Sequence, residues 1–352
     1  MKKKIIICLS IVLALVLGIC VKIKKNSLYD QSAAARWSPD GMVAQLSLFY
    51  PVSETALLDD MHFTDLAHRI QNKLDESAYS TEAGKKDKTG ISFPYALSIT
   101  GKITMTSDSS SAQMNAYGVK GDFFIFHPMN LLSGSYLSDD DVMDDGVVLD
   151  EEAAWKLFGS PDIEGKTVTI GGVPHIVKGV IRKDEGKFAE AAGLNGPLCF
   201  VSLKSLQTYG SVCGSYAFEM IMSDPVDGFA LKLVREVLGD EADDIVIVEN
   251  SYRYDQNRAL DILKNKGIRS MSTKGVVFPY YENIARGWED IFAVVYLIIW
   301  IIIAINLILL AVFIARVLRS RAYKEFKKRI RHNIKLMFKQ MIKEEKIHEE
   351  RE

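Results

Sequence analysis

An unbroken apolar run over residues 291–315 sets the first limit on what this 352-residue chain can fold into. About 20 apolar residues cross the hydrocarbon of a bilayer as a helix, so a run of this length spans it with room for tilt. Trp288, Glu289 and Asp290 stand before the run, and Arg316, Arg319 and Arg321 after it. Basic residues stay on the cytoplasmic side, whereas acidic residues are indifferent to translocation, which places the preceding chain outside the cell. Asn306 sits near the middle of the run, either bonded to its own helix or joining it to a second span.

A second apolar run covers residues 5–21, between Lys2-Lys3-Lys4 and Lys22, Lys24 and Lys25. A cleavable signal needs small residues just after its apolar part. Ile19-Cys20-Val21-Lys22 supplies none, and Ala33-Ala34-Ala35 lies too far downstream. Lipidation of Cys20 would need a small residue where Ile19 stands. The expectation is an uncleaved first span, with the chain running in, out and back in and both termini cytoplasmic.

The net charge of −2 conceals a division by region. Residues 2–25 hold six basic and no acidic side chains, and residues 316–352 hold thirteen basic and six acidic, which leaves 24 basic against 39 acidic between them. An acidic exterior favours solubility outside, and the basic ends favour anionic lipid or an acidic partner inside; neither suits nucleic acid. Of the four cysteines, Cys8 and Cys20 fall in the first span, while Cys199 and Cys213 fall outside. Those two are either paired or, since Cys199 lies in the apolar stretch Leu198-Cys199-Phe200-Val201, ordinary buried thiols.

The outer segment alternates strands and helices. Residues 43–50 alternate as a strand with Ala44, Leu46, Leu48 and Tyr50 on one face, and Leu66, Ile70 and Leu74 mark a helix over 60–77. A loop is expected over 80–90, strands over 95–106 and 113–119, and a phenylalanine-rich strand over 122–126. Asp139, Asp140, Asp141, Asp144 and Asp145 suit the start of a solvated helix. A strand at 146–150 then leads into a helix at 151–158 capped by Asp150. Strands at 165–170 and 174–181 join through Gly171-Gly172 as a hairpin. A strand at 217–222, a helix at 226–238 and a strand at 245–249 repeat the strand-helix-strand layout that begins at Val43. The last helix before the span is expected over 255–266, with Leu260 and Leu263 inward and Gly267 as its stop. A continuous helix is expected over 282–315, begun at Pro279, with Tyr280, Tyr281 and Trp288 at the membrane interface.

The ordered string Leu131, Ser133-Gly134-Ser135, Ser138-Asp139-Asp140, Val147-Val148-Leu149-Asp150, Leu157-Phe158-Gly159, Gly165-Lys166-Thr167-Val168-Thr169-Ile170 and Val177-Lys178-Gly179-Val180 resembles the outer core domain of MacB-like ABC transporter permeases. The resemblance covers residues 37–249 and is densest over 131–181. It implies an α+β outer domain of two mixed α/β parts that relays motion between the membrane and the outside of a bacterial cell. Permeases of that family usually have four spans, so the expectation here is a permease reduced to two, which transports only with partners or by self-association.

Signals of catalysis fail on spacing. Gly159 to Gly165-Lys166-Thr167 holds one residue too many for a phosphate loop and lies outside the cell. The aspartates over 139–145 lack the alternating ligands and closing glutamate of a calcium loop. His62, His68, His127 and His175 fall into no metal-ligand spacing, and no nucleophile elbow or paired-cysteine motif occurs. No catalytic, cofactor or metal residue is expected, and any ATP hydrolysis falls to a separate ATP-binding subunit.

In the tail, Phe326, Ile330, Ile334, Met337, Phe338 and Met341 recur at helical spacing beside Lys324, Lys327, Lys328, Arg329, Arg331, Lys335 and Lys339. This is a basic amphipathic helix, suited to anionic lipid or to an ATPase dock. The organisation expected is therefore an N-terminal anchor at 1–25 and an outer domain at 26–286 with a β-rich inserted part at about 120–200. A transmembrane helix at 287–317 and a cytoplasmic tail at 318–352 complete it. The function expected is a non-catalytic membrane subunit resembling an ABC permease, partnered by an ABC ATPase or permease subunit or by copies of itself. The alternative is a membrane-anchored extracellular sensor or binding module without transport.

The lysine and arginine clusters generate a direct test. In intact cells, an impermeant thiol reagent is expected to label a cysteine placed at Ser109 and to miss one placed at Gln340. Labelling of the tail would reverse the topology.

Overall fold

The computed structural model describes residues 2–38, 42–51, 58–77, 89–139, 141, 143–265, 269, 272–273, 275–319 and 321–349. The chain divides into two compact units, one of Met1–Val21 with Val295–Glu352 and one of Lys22–Val294.

Two helices with residues in both units are long and apolar enough to cross a membrane, and one of them is α1 (Lys2–Ser27). The other is helix α11 (Tyr280–Arg319), which takes in the expected continuous helix and begins right after Pro279. Asn306 meets both of the alternatives raised for it. Its Nδ2 donates to the Ile302 carbonyl at 2.8 Å, and its Oδ1 accepts from Ser10 Oγ of α1 at 3.1 Å. A polar side chain in hydrocarbon is thereby satisfied twice, once within its helix and once across to the other. Helix α12 (Arg321–Glu349) has the expected amphipathic pattern, with Phe326, Ile330, Ile334 and Met337 exposed on it.

The second unit is built on a sheet of eleven strands among the described residues. A short helix α2 (Ala33–Trp37) leads into β1 (Val43–Tyr50), α3 (Asp60–Asp75) and β2 (Tyr95–Thr106). After a long inserted part come β10 (Tyr216–Ser223), α8 (Phe229–Leu238), a turn of helix α9 (Glu241–Asp244) and β11 (Val246–Glu249). These four strands lie in the order β11-β1-β10-β2, each antiparallel to its neighbour. Two β-α-β units thus interleave as a split pair, the layout that the repeated strand-helix-strand pattern suggested.

The inserted part begins with β3 (Ser111–Gly121), paired to β2 along its whole length from Ala96↔Gly121 to Thr106↔Ser111. It continues through α4 (Phe123–Phe126), β4 (Asn130–Gly134), β5 (Gly146–Asp150), α5 (Glu151–Phe158), β6 (Thr167–Ile170) and β7 (Val173–Arg182). It ends with α6 (Lys187–Ala191), β8 (Leu198–Ser202), α7 (Leu203–Tyr209) and β9 (Ser211–Val212). Its strands extend the same sheet as β3-β8-β5-β7-β4. Strand β2 joins the two parts, since Ala96 to Ser98 pair with β10 while Gly101 to Thr106 pair with β9 and β6. Gly171 and Gly172, at φ 56° and 85°, make the β6–β7 turn, a conformation only glycine adopts without strain. Asp150 Oδ1 caps α5 by accepting from Ala153 N at 2.8 Å and also accepts from Leu198 N at 3.0 Å.

Both faces of the sheet are covered. Ala44, Leu46, Leu48 and Tyr50 of β1 pack on one face with Phe63, Leu66 and Ile70 of α3 and Leu233 and Val234 of α8. On the other face Tyr117, Phe200 and Ile221 meet Phe123, Phe126, Tyr280, Tyr281 and Ile284. Phe123, Phe126 and Phe200 are almost fully buried, each worth roughly 1.5–3 kcal/mol in transfer free energy. Beyond Arg258 come α10 (Ala259–Lys264) and the hairpin of β12 (Ser272–Thr273) and β13 (Val276–Val277).

Several local expectations are corrected. Residues 123–126 form a helical turn rather than a strand, because Asp122 O accepts from Ile125 N and Phe126 N. The described aspartates over 139–145 lie in a loop between β4 and β5, not at a helix start, with Asp139 Oδ1 accepting from Gly121 N and Asp141 paired to Lys178 at 2.9 Å. The inward residues of α10 are Ala259 and Ile262, and Leu260 is exposed, because the helix starts only after a 3-10 turn at Gln256–Arg258. Tyr280 and Tyr281 are core residues, only 6 % and 9 % exposed, rather than interface anchors. Cys199 and Cys213 are free, the first buried and the second exposed; burial raises the Cys199 thiol pKa and makes it inert. Asp140, Gly267 and most of the expected loop over 80–90 lie outside the described residues.

Candidate functional site

The most elaborate chemistry of the outer unit lies at the base of α11, before its apolar run. The first turn is organised by aromatic and polar contacts together. Helix α11 starts with unsatisfied backbone N–H groups, and Tyr117 Oη of β3 accepts from Tyr280 N at 3.2 Å. Asn283 Nδ2 donates to the Phe278 carbonyl at 2.9 Å, which fixes how the chain enters the helix. Tyr281 shares a 3.0 Å hydrogen bond with Ser98 Oγ of β2, and its ring lies 3.7 Å from that of His127.

Glu282 and Glu289 stand two turns apart on one helix face, 1 % and 2 % exposed, and Arg253 lies against both, 5 % exposed. Arg253 donates through Nη2 to Glu282 and through Nε to Glu289 at 3.0 Å. Arg286 Nε donates to the other Glu282 oxygen at 2.7 Å, while Arg269 pairs with Glu289 and, at 3.3 Å, with Asp290. Three arginines therefore meet three carboxylates in a closed network. Desolvation opposes the charge on Arg253, but Glu282, Tyr254 and Glu219 together outweigh it and hold the guanidinium pKa above its ordinary value. Arg269, with weaker compensation, is pushed down to about 10 by burial, and both arginines stay charged at neutral pH.

A second buried polar chain runs under the same helix. Glu219 of β10, 2 % exposed, accepts from Ser47 Oγ at 2.9 Å and meets His127 Nε2; Asn250 Nδ2 in turn donates to Ser47 Oγ at 2.8 Å. These groups link β1, β10 and the turn after β11 to the residue that stacks on Tyr281. The inserted part reaches the helix through Phe188 of α6, whose ring meets Trp288 at 5.1 Å. A Cβ at Gly287 would fall 2.6 Å from that ring, so glycine is what permits the approach. Trp288 also takes Lys24 Nζ over its ring at 4.2 Å.

Of the histidines weighed as ligands, His127 faces Glu219, and His175 meets Ser205 Oγ at 2.9 Å. One acidic group not singled out in the sequence does converge, with Asp224, Asp227 and Glu249 placing oxygens within 4.8 Å of one another. Asp224 is already engaged, accepting from Ala230 N at 2.9 Å and Gly228 N at 3.3 Å where α8 begins. The residues from 131 to 181, where the family resemblance is densest, position the sheet and its helices, whereas the network at α11 escaped notice because its members are 29 and 36 residues apart.

Removing one partner of a buried ion pair leaves the other charge without compensation and costs on the order of 3–5 kcal/mol. Arg253→Met is expected to lower the stability of a fragment spanning residues 22–294 by that amount in urea unfolding, while Lys156→Met, at an exposed pair with Glu152, leaves the midpoint in place. An unchanged midpoint in the Arg253 variant would remove the network from the structural core.

The family model of the MacB-like periplasmic core domain matches residues 59–240. The "Macrolide export ATP-binding/permease protein MacB" of Neisseria gonorrhoeae is 32 % identical over 90 residues, 25 % of this chain and 14 % of that relative, and its counterpart in Neisseria meningitidis serogroup B gives the same values. The match thus spans 14 % of the length of these relatives. Among solved structures, the periplasmic region of MacB from Actinobacillus actinomycetemcomitans is similar at a TM-score of 0.41 and 19 % identity, over 65 % of this chain and 94 % of that one. The extracellular domain of the noncanonic ABC-type transporter YknZ from Gram-positive bacteria is similar at a TM-score of 0.35 and 16 % identity, over 55 % and 95 %. With more than half of its length matched by the family model, this membrane protein belongs to the family of the MacB-like periplasmic core domain.

Proposed function

We propose that the chain is a non-catalytic membrane subunit of an ABC-type complex, in which the outer domain receives a partner or cargo and passes the resulting motion into the membrane helix. The observation that carries this reading is the base of α11: Tyr280, Tyr281, Glu282, Ile284, Ala285, Glu289, Phe292 and Ala293 are buried, and the same helix continues to Arg319. A displacement of the sheet is then a displacement of the helix base, since separating them would strip the Arg253 network of its partners. ATP hydrolysis belongs to a separate subunit in this reading, and the spans associate with a permease subunit or a second copy of the chain.

The orientation proposed has both termini in the cytoplasm, with residues 26–286 outside. There the basic face of α12 rests on anionic lipid, where each lysine or arginine near the surface contributes roughly 1 kcal/mol. The alternative, a binding module without transport, draws its support from an open cleft beside the base of α11.

Loosening the helix separates the two readings. A flexible Gly-Ser segment inserted between Val294 and Val295 leaves the buried base of α11 intact. Purified from native membranes, such a variant is expected to retain its ATP-binding partner while the ATPase activity of the complex changes severalfold. Activity equal to that of the native complex, or the absence of any ATP-binding subunit, would favour the binding module.

A further inference from the structure

Beside the base of α11 the surface opens into a cleft of 640 Å³, walled by the chain that follows α1, the segment after α4 and the segment after β7. Its charged groups divide into two kinds. The cations are engaged within the fold: Lys183 Nζ binds Glu152 at 2.7 Å and Asp150 at 3.2 Å, and Arg182 lies 3.5 Å from Glu151. Arg36, near Asp30, donates to the carbonyl oxygens of Tyr29, Asp30, Ile125 and Phe126. The carboxylates Asp30, Asp184 and Glu185 line the cleft with no ion pair among the described residues. Asp184 is open to the cleft yet walled by it; desolvation first, and then Asp30, lift its carboxyl pKa above the ordinary range, with His127 opposing.

An acidic cluster on a surface is ordinarily satisfied by water, but a second observation lies in the floor of this cleft. Tyr280 is only 6 % exposed, its backbone N–H donates to Tyr117 Oη, its ring meets that of Tyr117 edge-on, and its hydroxyl has no hydrogen-bond partner among the described residues. Tyr280 and Asp184 line the same cleft. A phenol at the wall of a cleft can donate to a group bound there while its ring meets that group's apolar part. Tyr281 and His127, whose rings lie 3.7 Å apart, extend the aromatic floor.

We propose that this cleft binds a small amphiphilic organic cation, its positive charge between Asp30 and Asp184 and its apolar body on Tyr280, Tyr281 and His127. Surplus negative charge over an aromatic floor is the complement of a weakly hydrated cation, for which carboxylate attraction and cation–π contact add. An anion of similar size meets these carboxylates, while the cations of the cleft, Lys183 and Arg182, are paired to Glu152, Asp150 and Glu151. The inference does not depend on the relay, because occupancy is measured without any ATPase.

The test uses the full chain in nanodiscs of zwitterionic lipid, with ethidium as the aromatic cation, anilinonaphthalene sulfonate as the anion and protein-free discs subtracted. Ethidium is expected to bind saturably to the native chain. The double variant Asp30→Asn/Asp184→Asn, both positions exposed and outside the core, is expected to weaken it at least tenfold with an unchanged unfolding midpoint. Tyr280→Phe, which retains the ring, is expected to weaken it less. The proposal is overturned if the native chain shows no saturable binding, if the double variant binds ethidium as tightly as the native chain, or if the anion binds as tightly as ethidium.

Discussion

Arg253 is the residue on which the outer domain and its exit helix jointly depend. A guanidinium this deeply buried is tolerable only with both of its carboxylate partners in place, and those partners, Glu282 and Glu289, lie on the helix that enters the membrane. The gain over an apolar core is not in stability, since buried ion pairs roughly break even against well-packed hydrophobic residues. It is in register. A stripe of leucines would tolerate a helix rotated or shifted by a turn, whereas a forked donor facing acids two turns apart accepts one placement.

The rest of the fold presents that placement to both parts of the outer domain. The split β-α-β sheet contributes Ser98 and Glu219, the inserted part contributes Tyr117, Phe188 and Phe200, and all of them converge on the first three turns of α11. Strand β2 carries the connection in the sheet itself, pairing with the split unit at one end and with the inserted strands at the other. In the proposed relay, an event at either part would reach one helix base. The cleft beside Tyr280 lies within this region, so a bound cation would touch the residues that seat the helix.

Local periodicity carried most of the secondary structure. Ala44, Leu46, Leu48 and Tyr50 announced β1, Leu66, Ile70 and Leu74 announced α3, and Gly171-Gly172 announced the β6–β7 turn, because each pattern is contained within a few residues. What sequence could not supply was anything decided by distant partners. Tyr280 and Tyr281 before an apolar run look the same whether they face headgroups or Tyr117 and Phe200, and only the docking of the helix on the sheet decides. Phe123 to Phe126 has the composition of a strand, yet Asp122 accepts the hydrogen bonds of a helical turn, and two of the three rings then fill the second face of the core. The Arg253 network had no local signature, since an arginine in a turn and two glutamates ahead of a span are ordinary surface residues until the fold closes.

The central claim is that the first turns of α11 belong to the folded core of the outer domain. Amide hydrogen exchange of the full chain in lipid reads it directly, because residues of a cooperative core exchange only on global opening whereas a linker exchanges freely. The amides from Ala285 to Val294 are expected to be protected to the same degree as those of β10, and to lose that protection together with β10 in Arg253→Met. Fast exchange over these residues in the native chain, with β10 protected, would show a helix base that is tethered to the domain rather than folded into it.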